Sequence, residues 1–217
     1  MITAYVGGWG GLPCRYPIVK DDPEAIAAAL AKALAENDAA IIIAGSSLGT
    51  KDYTICVLEE MGQVIVSQLA HGPGRKSSLS LVGGKPVLGI AGPPLGAQIV
   101  CDLYLAPFVS ALRGLPAIEM QKLAVIADDP FPARQADFCE RVHIYQAPDG
   151  YHIRSVFAPK TSRGQMQALA NGNFYRQAGT ACAAGDITQV ELLCPVEYLP
   201  EQDLFTAILG EDVEPYD

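Results

Sequence analysis

Three short stretches concentrate the residue types that hold an anionic ligand. The first is Ala44-Gly45-Ser46-Ser47-Leu48-Gly49-Thr50-Lys51-Asp52, between an apolar run and a helical pattern. Free N–H groups and the helix dipole favour an anion at such a junction. The small residues Gly45, Ser46, Ser47 and Gly49 allow a phosphate close approach. The spacing is not that of a P-loop, and there is no G-x-G-x-x-G, so an ordinary strand-to-helix connection accounts for this loop equally well. The second, His71-Gly72-Pro73-Gly74-Arg75-Lys76-Ser77-Ser78, carries two cations and two hydroxyls. Arg75 offers a planar fork for an oxyanion and Lys76 a point charge, with Ser77 beside them; a solvated turn is the plainer reading. The third, Ala91-Gly92-Pro93-Pro94-Leu95-Gly96, precedes a long apolar helix, where Gly92 permits a turn and Pro94 suits the first helical position. Asp21 and Asp52 each lie at an expected strand-to-helix junction. Carboxylates there can serve a divalent cation as oxygen ligands, although Asp21 can equally be a helix cap.

The elements that must position these residues follow from periodicity. Asp21-Asp22-Pro23 opens a helix whose Ile26, Leu30, Ala33 and Leu34 share one face. AAIIIA (39–44) is a short apolar run, the pattern of a strand buried on both faces of a parallel sheet. YTICVLEEM is the next helix, QVIVSQLA and KPVLGI the next strands, and Leu95 to Leu112 a long helix. Each loop therefore follows an expected strand, and open α/β sheets bind ligands outside the carboxyl ends of their strands. Beyond Gly114 the pattern becomes β-rich: KLAVIA, ERVHIYQ, YHIRSVFA and ITQVELLCPVEYL, with Asp149-Gly150 marking a hairpin. These pieces suit a small antiparallel domain or barrel.

Composition narrows the function classes. Half of the 217 residues are hydrophobic and 18% are charged, as in a packed globular chain. The net charge of −9 is uneven: up to Gly114 there are 8 Lys/Arg against 9 Asp/Glu, and beyond it 7 against 15. The segment from Glu197 holds seven acids and no base, as a solvated tail does. An acidic chain without a basic cluster lacks the footprint of nucleic-acid binding. No apolar run reaches the ~18–20 residues of a membrane span, and no signal-peptide pattern opens the chain, so a cytoplasmic protein is expected. Cys14, Cys56, Cys101, Cys139, Cys182 and Cys194 stand singly, without the spacing of a zinc site or dithiol, and His71, His143 and His152 match no metal-ligand pattern.

Taken together the residues resemble the molybdopterin molybdenumtransferase family, which includes MoeA and the gephyrin E-domain. IVKDDPEAIAAAL is similar to that family's G-I-v-x-D-D-P-e-a-l stretch, IAGSSLGTKDYT to its S-G-G-x-S-x-G-x-x-D-Y-T loop, and LVGGKPVLGIAGPPLGA to l-x-x-k-p-v-f-g-L-P-G-N-P-v-S-a. NGNFYRQAGTACAAGDITQVELLCPVEYL resembles its last, β-rich domain. The resemblance implies an α/β fold: a MogA-like three-layer molybdopterin-binding domain over residues 1–114, its first strand missing, then a small β-barrel-like domain over 115–217 with an acidic tail. It implies insertion of molybdate into adenylylated molybdopterin, assisted by Mg2+. Asp52 and Asp21 would be the catalytic and metal-binding carboxylates. Gly45, Ser46, Ser47, Gly49, Arg75, Lys76, Ser77, Gly92 and Pro94 would line the molybdopterin site. It further implies a homodimer, or a partner supplying the family's N-terminal domains, which nothing in this sequence matches. Gly72 stands where the family's basic loop has its first lysine, Pro93 replaces an asparagine and Gly96 a serine. A molybdopterin-binding or sensing module without transfer chemistry is therefore the alternative expectation, with a scaffold domain a third.

Overall fold

The computed structural model describes residues 1–44, 53–116, 120–133, 138–155, 174–178 and 181–192. The chain divides into two compact units, Met1–Ile118 and Glu119–Asp217, and among the described residues each has its own sheet.

The first unit opens with α1 (Ile2–Gly8), which periodicity along the sequence does not announce; Ile2, Tyr5 and Val6, with Trp9 just after it, pack against the core. Helix α2 (Pro23–Glu36) starts as its sequence dictates. Asp22, rather than Asp21, is the cap, its Oδ1 accepting from the Ala25 N–H at 2.9 Å, and Pro23 fills the first turn. At the other end Asn37 Nδ2 donates to the Ala33 carbonyl. Lys85 Nζ donates to the carbonyls of Leu34 and Asn37, which ties the helix end to the sheet. Strand β1 (Ala40–Ala44), helix α3 (Tyr53–Met61), β2 (Gln63–Val66), β3 (Ser78–Val82) and β4 (Lys85–Ala91) follow.

The sheet order is β1-β4-β3-β2. Only β1 and β4 run parallel, whereas β3 is antiparallel to both β4 and β2. The sheet is therefore mixed, which corrects the expected parallel one. The cause is a β3–β4 hairpin on Gly83 and Gly84, whose φ values of 57° and 76° are those of the tight turn that a twisted hairpin prefers. The strand read over QVIVSQLA also ends early, at Val66.

Side-chain alternation assigns the layers. Leu88, Ile90 and Ile41 face α1 and the long C-terminal helix, while Val87 and Ile42 face α2 and α3. This is the three-layer α/β/α arrangement. The long helix runs as α4 (Pro94–Val100), a π-helical turn (Cys101–Leu105) and α5 (Ala106–Leu112). Pro107 lies within it, and a regular α-helix would drive the proline ring into the carbonyl of Leu103; the wider turn just before it relieves that clash. Over Pro94–Leu112 this helix is long and apolar enough, by length and composition, to cross a membrane. That corrects the expectation that no segment reaches such a length. Leu95, Ile99, Val100, Leu105 and Val109 are buried within the unit, and that apolarity covers the sheet.

The second unit is a closed ring of five strands: β5 (Gln121–Ala127), β7 (Gly150–Ser155), β6 (Phe138–Ala147), β8 (Phe174–Ala178) and β9 (Ile187–Leu192). The hairpin signal sits at the β6–β7 turn, where Ala147 pairs with Gly150. The ring is not wholly antiparallel, because β5 meets β7 in parallel at Ile126–His152 and Ala127–Ile153. Val125, Val142, Ile144, Ile153 and Val190 fill its interior. The acidic segment from Glu197, and Cys194, lie outside the described residues.

Candidate functional site

Strand directions bring the strand ends that border the three loops to one end of the first sheet. Ala44, the last residue of β1, pairs with Ala91, the last residue of β4, so the two strands end side by side next to Gly92. Ser78, the first residue of β3, pairs with Gly89, which brings the second loop in at the same end. Helix α2 runs back over β1 from the Asn37–Ala39 connection, and its N-terminus, with Asp21, lies toward that end too.

The second and third loops are in direct contact. Ser77 is buried, and its Oγ accepts from the Ala91 N–H at 3.0 Å. A methyl group at Gly96 would lie 2.8 Å from the Gly74 nitrogen and 3.0 Å from its Cα, so the loop backbone rests on the first turn of α4. Gly74 has φ +98°, which L side chains rarely adopt, and its carbonyl accepts from the Ser77 N–H at 2.9 Å. The Leu69 N–H donates to the Arg75 carbonyl, closing the loop's base. His71, buried, stacks on Tyr104 with ring centroids 5.4 Å apart and hydrogen-bonds its hydroxyl at 2.6 Å. Tyr104 is carried by the π-helical turn, so that irregularity also serves to hold the loop.

On this loop Arg75 and Lys76 are exposed, and Pro93 opens α4 without a side-chain cap. The arrangement presents two cations next to uncapped helix amides, a combination suited to a phosphate or similar oxyanion. Gly92 directly follows the end of β4, and Pro94 is the first residue of α4. Ser77 is a different case: its hydroxyl is spent on the backbone, a role that sequence alone does not distinguish from ligand contact. Asp21 is exposed and neighbours the cap without being it. Gly45, Ser46, Ser47, Gly49 and Asp52 lie outside the described residues. Among the described residues no three His, Cys, Asp or Glu side chains converge as metal ligands. The sequence places His71 in the second loop but gives no sign of its partner Tyr104; they are 33 residues apart, and only the fold pairs them.

Residues 1–111 match the family model described as a probable molybdopterin binding domain. A putative molybdopterin biosynthesis protein of Methanocaldococcus jannaschii is 36% identical over 93 residues, 43% of this chain and 23% of that protein. A molybdopterin molybdenumtransferase of Staphylococcus epidermidis is 29% identical over 118 residues, 54% of this chain and 28% of that protein. The chain thus spans about a quarter of the length of these curated relatives. Among solved structures, the molybdopterin biosynthesis MoeA protein of Pyrococcus horikoshii superimposes with a TM-score of 0.70 at 21% identity, over 89% of this chain and 47% of that one. A molybdenum cofactor biosynthesis protein of Pyrococcus furiosus gives 0.63 at 20% identity, over 88% and 62%. With a family model matching residues 1–111, half of its length, the chain belongs to the molybdopterin-binding-domain family, and it shares the fold of these neighbours.

Proposed function

We propose that this chain binds molybdopterin at the end of the first sheet and contributes that site to the insertion of molybdate into adenylylated molybdopterin. The observation that carries the reading is the Ser77–Ala91 hydrogen bond. It docks the Arg75–Lys76 loop against the end of β4, beside the start of α4 that Gly74 touches through Gly96, and so supports an anion-holding surface in a molybdopterin-binding-domain fold. Arg75 and Lys76 take the phosphate of the pterin. Gly45, Ser46, Ser47 and Gly49 line the site from the first loop, and Gly92 and Pro94 from the third. Asp52, with Asp21, supplies oxygen ligands for a divalent ion such as Mg2+ and stands next to molybdate. The setting is cytoplasmic, and the full reaction uses a homodimer or a partner that contributes the remainder of the relatives' length.

Gly72 favours a second reading, binding or sensing without transfer, because it removes a cation from the basic loop. Two measurements separate the readings. Molybdopterin titrated into the purified chain, followed by pterin fluorescence, tests binding, and Arg75→Ala with Lys76→Ala should weaken it by about tenfold or more. AMP release from adenylylated molybdopterin plus molybdate tests transfer, with and without added N-terminal domains of a relative. Binding without AMP release in either setting selects the second reading, and no binding rejects both. Asp52→Asn should reduce AMP release more than molybdopterin binding; equal losses would refute the separate role of the carboxylate.

A further inference from the structure

The contacts that hold the second loop fall on three different elements. Ser77 is bonded to the end of β4 through the Ala91 N–H, Gly74 rests on the first turn of α4 at Gly96, and His71 meets Tyr104 on the π-helical turn. Arg75 and Lys76 lie between Gly74 and Ser77, whose own hydrogen bond closes that arm of the loop. The arm that enters the loop is placed by side chains. Leu69 packs against the core cluster that includes Val100, Cys101 and Leu105. Two residues later His71 is buried against Tyr104, its ring stacked at 5.4 Å and its Nε2 2.6 Å from the hydroxyl. The Leu69 N–H donates to the Arg75 carbonyl at 2.8 Å, so whatever fixes the entering arm fixes the backbone of Arg75 as well.

Tyr104 reaches His71 because of the turn that carries it. A π turn closes its hydrogen bond over one residue more than an α turn, so side chains on it face differently from those of an unbroken helix. Within Cys101–Leu105 the residues Cys101 and Leu105 are buried in the core, while Tyr104 stays partly exposed beside the loop. Relief of the Pro107 clash requires the wider turn but not a tyrosine on it. Nor does packing require a histidine opposite. An imidazole and a phenol cost more to bury than an apolar pair of the same shape, and what they gain is a hydrogen bond of fixed direction.

We propose that His71 and Tyr104 are positioning residues, whose contact holds Arg75 and Lys76 beside the uncapped amides of α4 so that an oxyanion meets a preformed site. This rests on the function proposed above, in which the loop takes the phosphate of molybdopterin. Neither residue touches the ligand; both act through the backbone of the loop. A loop that is competent for only a fraction of the time binds more weakly by that fraction. Loss of the hydrogen bond that holds it should therefore raise the dissociation constant by about three- to tenfold.

Trypsin reads the loop without any ligand, because it cuts after Arg75 and after Lys76, and its rate on a segment that opens and closes rapidly follows the open fraction. In the purified full chain Tyr104→Phe keeps the ring and removes the hydroxyl. It should speed cleavage at these two bonds by about three- to tenfold, while cleavage after Lys32, in α2, stays the same. His71→Ala should do so at least as much, and His71→Gln, which can still bond the hydroxyl, should recover part of the protection. Molybdopterin titrated into Tyr104→Phe should show a dissociation constant raised by a similar factor. The rise should be smaller in a chain that already carries Arg75→Ala, because the cation that the pair positions is gone. Unchanged cleavage in both Tyr104→Phe and His71→Ala overturns the proposal. So does cleavage that rises equally after Lys32, since the pair would then only stabilise the unit. A wild-type chain that binds no molybdopterin rejects the proposed function instead, and the trypsin rates still decide whether the pair holds the loop.

Discussion

Gly74 and Gly96 meet backbone to backbone: a methyl group at Gly96 would lie 2.8 Å from the Gly74 nitrogen, and one at Gly74 would lie 2.7 Å from Val100 Cγ2 and 3.0 Å from the Gly96 carbonyl oxygen. This contact sets the distance between the Arg75–Lys76 loop and α4. Both obstacles include backbone or a buried side chain, so neither gives way cheaply. Gly96→Ala should destabilise the first unit by about 1–3 kcal/mol. Gly74→Ala adds the strain of φ +98° to the clash and should cost at least as much. Urea unfolding of each variant measures the effect. Because the two residues touch, the double variant should cost less than the sum.

Ser77→Ala removes the acceptor of the Ala91 N–H, and both residues are buried. An unpaired buried N–H costs about 1–3 kcal/mol, so the unfolding midpoint should fall by that equivalent. Ser77→Thr, which keeps a hydroxyl, should recover part of it. An unchanged midpoint for Ser77→Ala would show that the loop is held by Gly74 and His71 without this bond.

In the second unit His152 Nδ1 is 2.7 Å from Asp128 Oδ1 and its Nε2 is 2.9 Å from Asp149 Oδ1, while Tyr145 donates to Asp128 Oδ2 at 2.6 Å. Burial opposes charge on His152, but the hydrogen bonds and charges of Asp128 and Asp149 outweigh it, and its pKa is raised above 6.5. The hydrogen bond from His152 lowers that of Asp149 below 3.8. The raised histidine contributes stability that is present below pH 6.5 and is lost as pH rises through its folded value. The lowered carboxylate contributes above pH 3.8 and is lost as pH falls through its own. The unit should therefore be more stable at pH about 5.5 than at about 8, and His152→Gln should flatten that difference. Thermal unfolding at both pH values checks the sign.

Cys101 is buried in the π-helical turn, and burial, with the charge of Asp102 next to it, pushes its thiol up to about 12. Cys14 and Cys56 are exposed. Only a thiolate is an effective nucleophile. Iodoacetamide at neutral pH should alkylate Cys14 and Cys56 in the folded chain, and Cys101 only after unfolding, as read by peptide mass spectrometry. Labelling of Cys101 under native conditions would mean that the long helix opens locally.

Much of the first unit is legible along the chain because its signals are local. Helix α3 is read over Tyr53–Met61 at both ends, and α2 announces itself by an acidic cap, a proline and a periodic apolar face, all within four turns. The runs at Ala40–Ala44 and Lys85–Ala91 are short, apolar and bounded by turn residues, and the three loops stand out because they interrupt such runs. Strand β3 escapes such a reading although Gly83-Gly84 is itself a hairpin signal; SLSLV is too short and too rich in serine to read as apolar. Whether a strand runs parallel or antiparallel depends on partners far away in sequence, so the mixed sheet and the parallel β5–β7 closure could emerge only in three dimensions. The same holds for the side chains. No residue near Ser77 in sequence reveals that its hydroxyl bonds the Ala91 N–H, nothing near His71 points to Tyr104, and Asp128 meets His152 only because the barrel closes between them. Residue type and spacing along one chain report what each residue can do, whereas the packing of distant segments decides which of those capacities is already used.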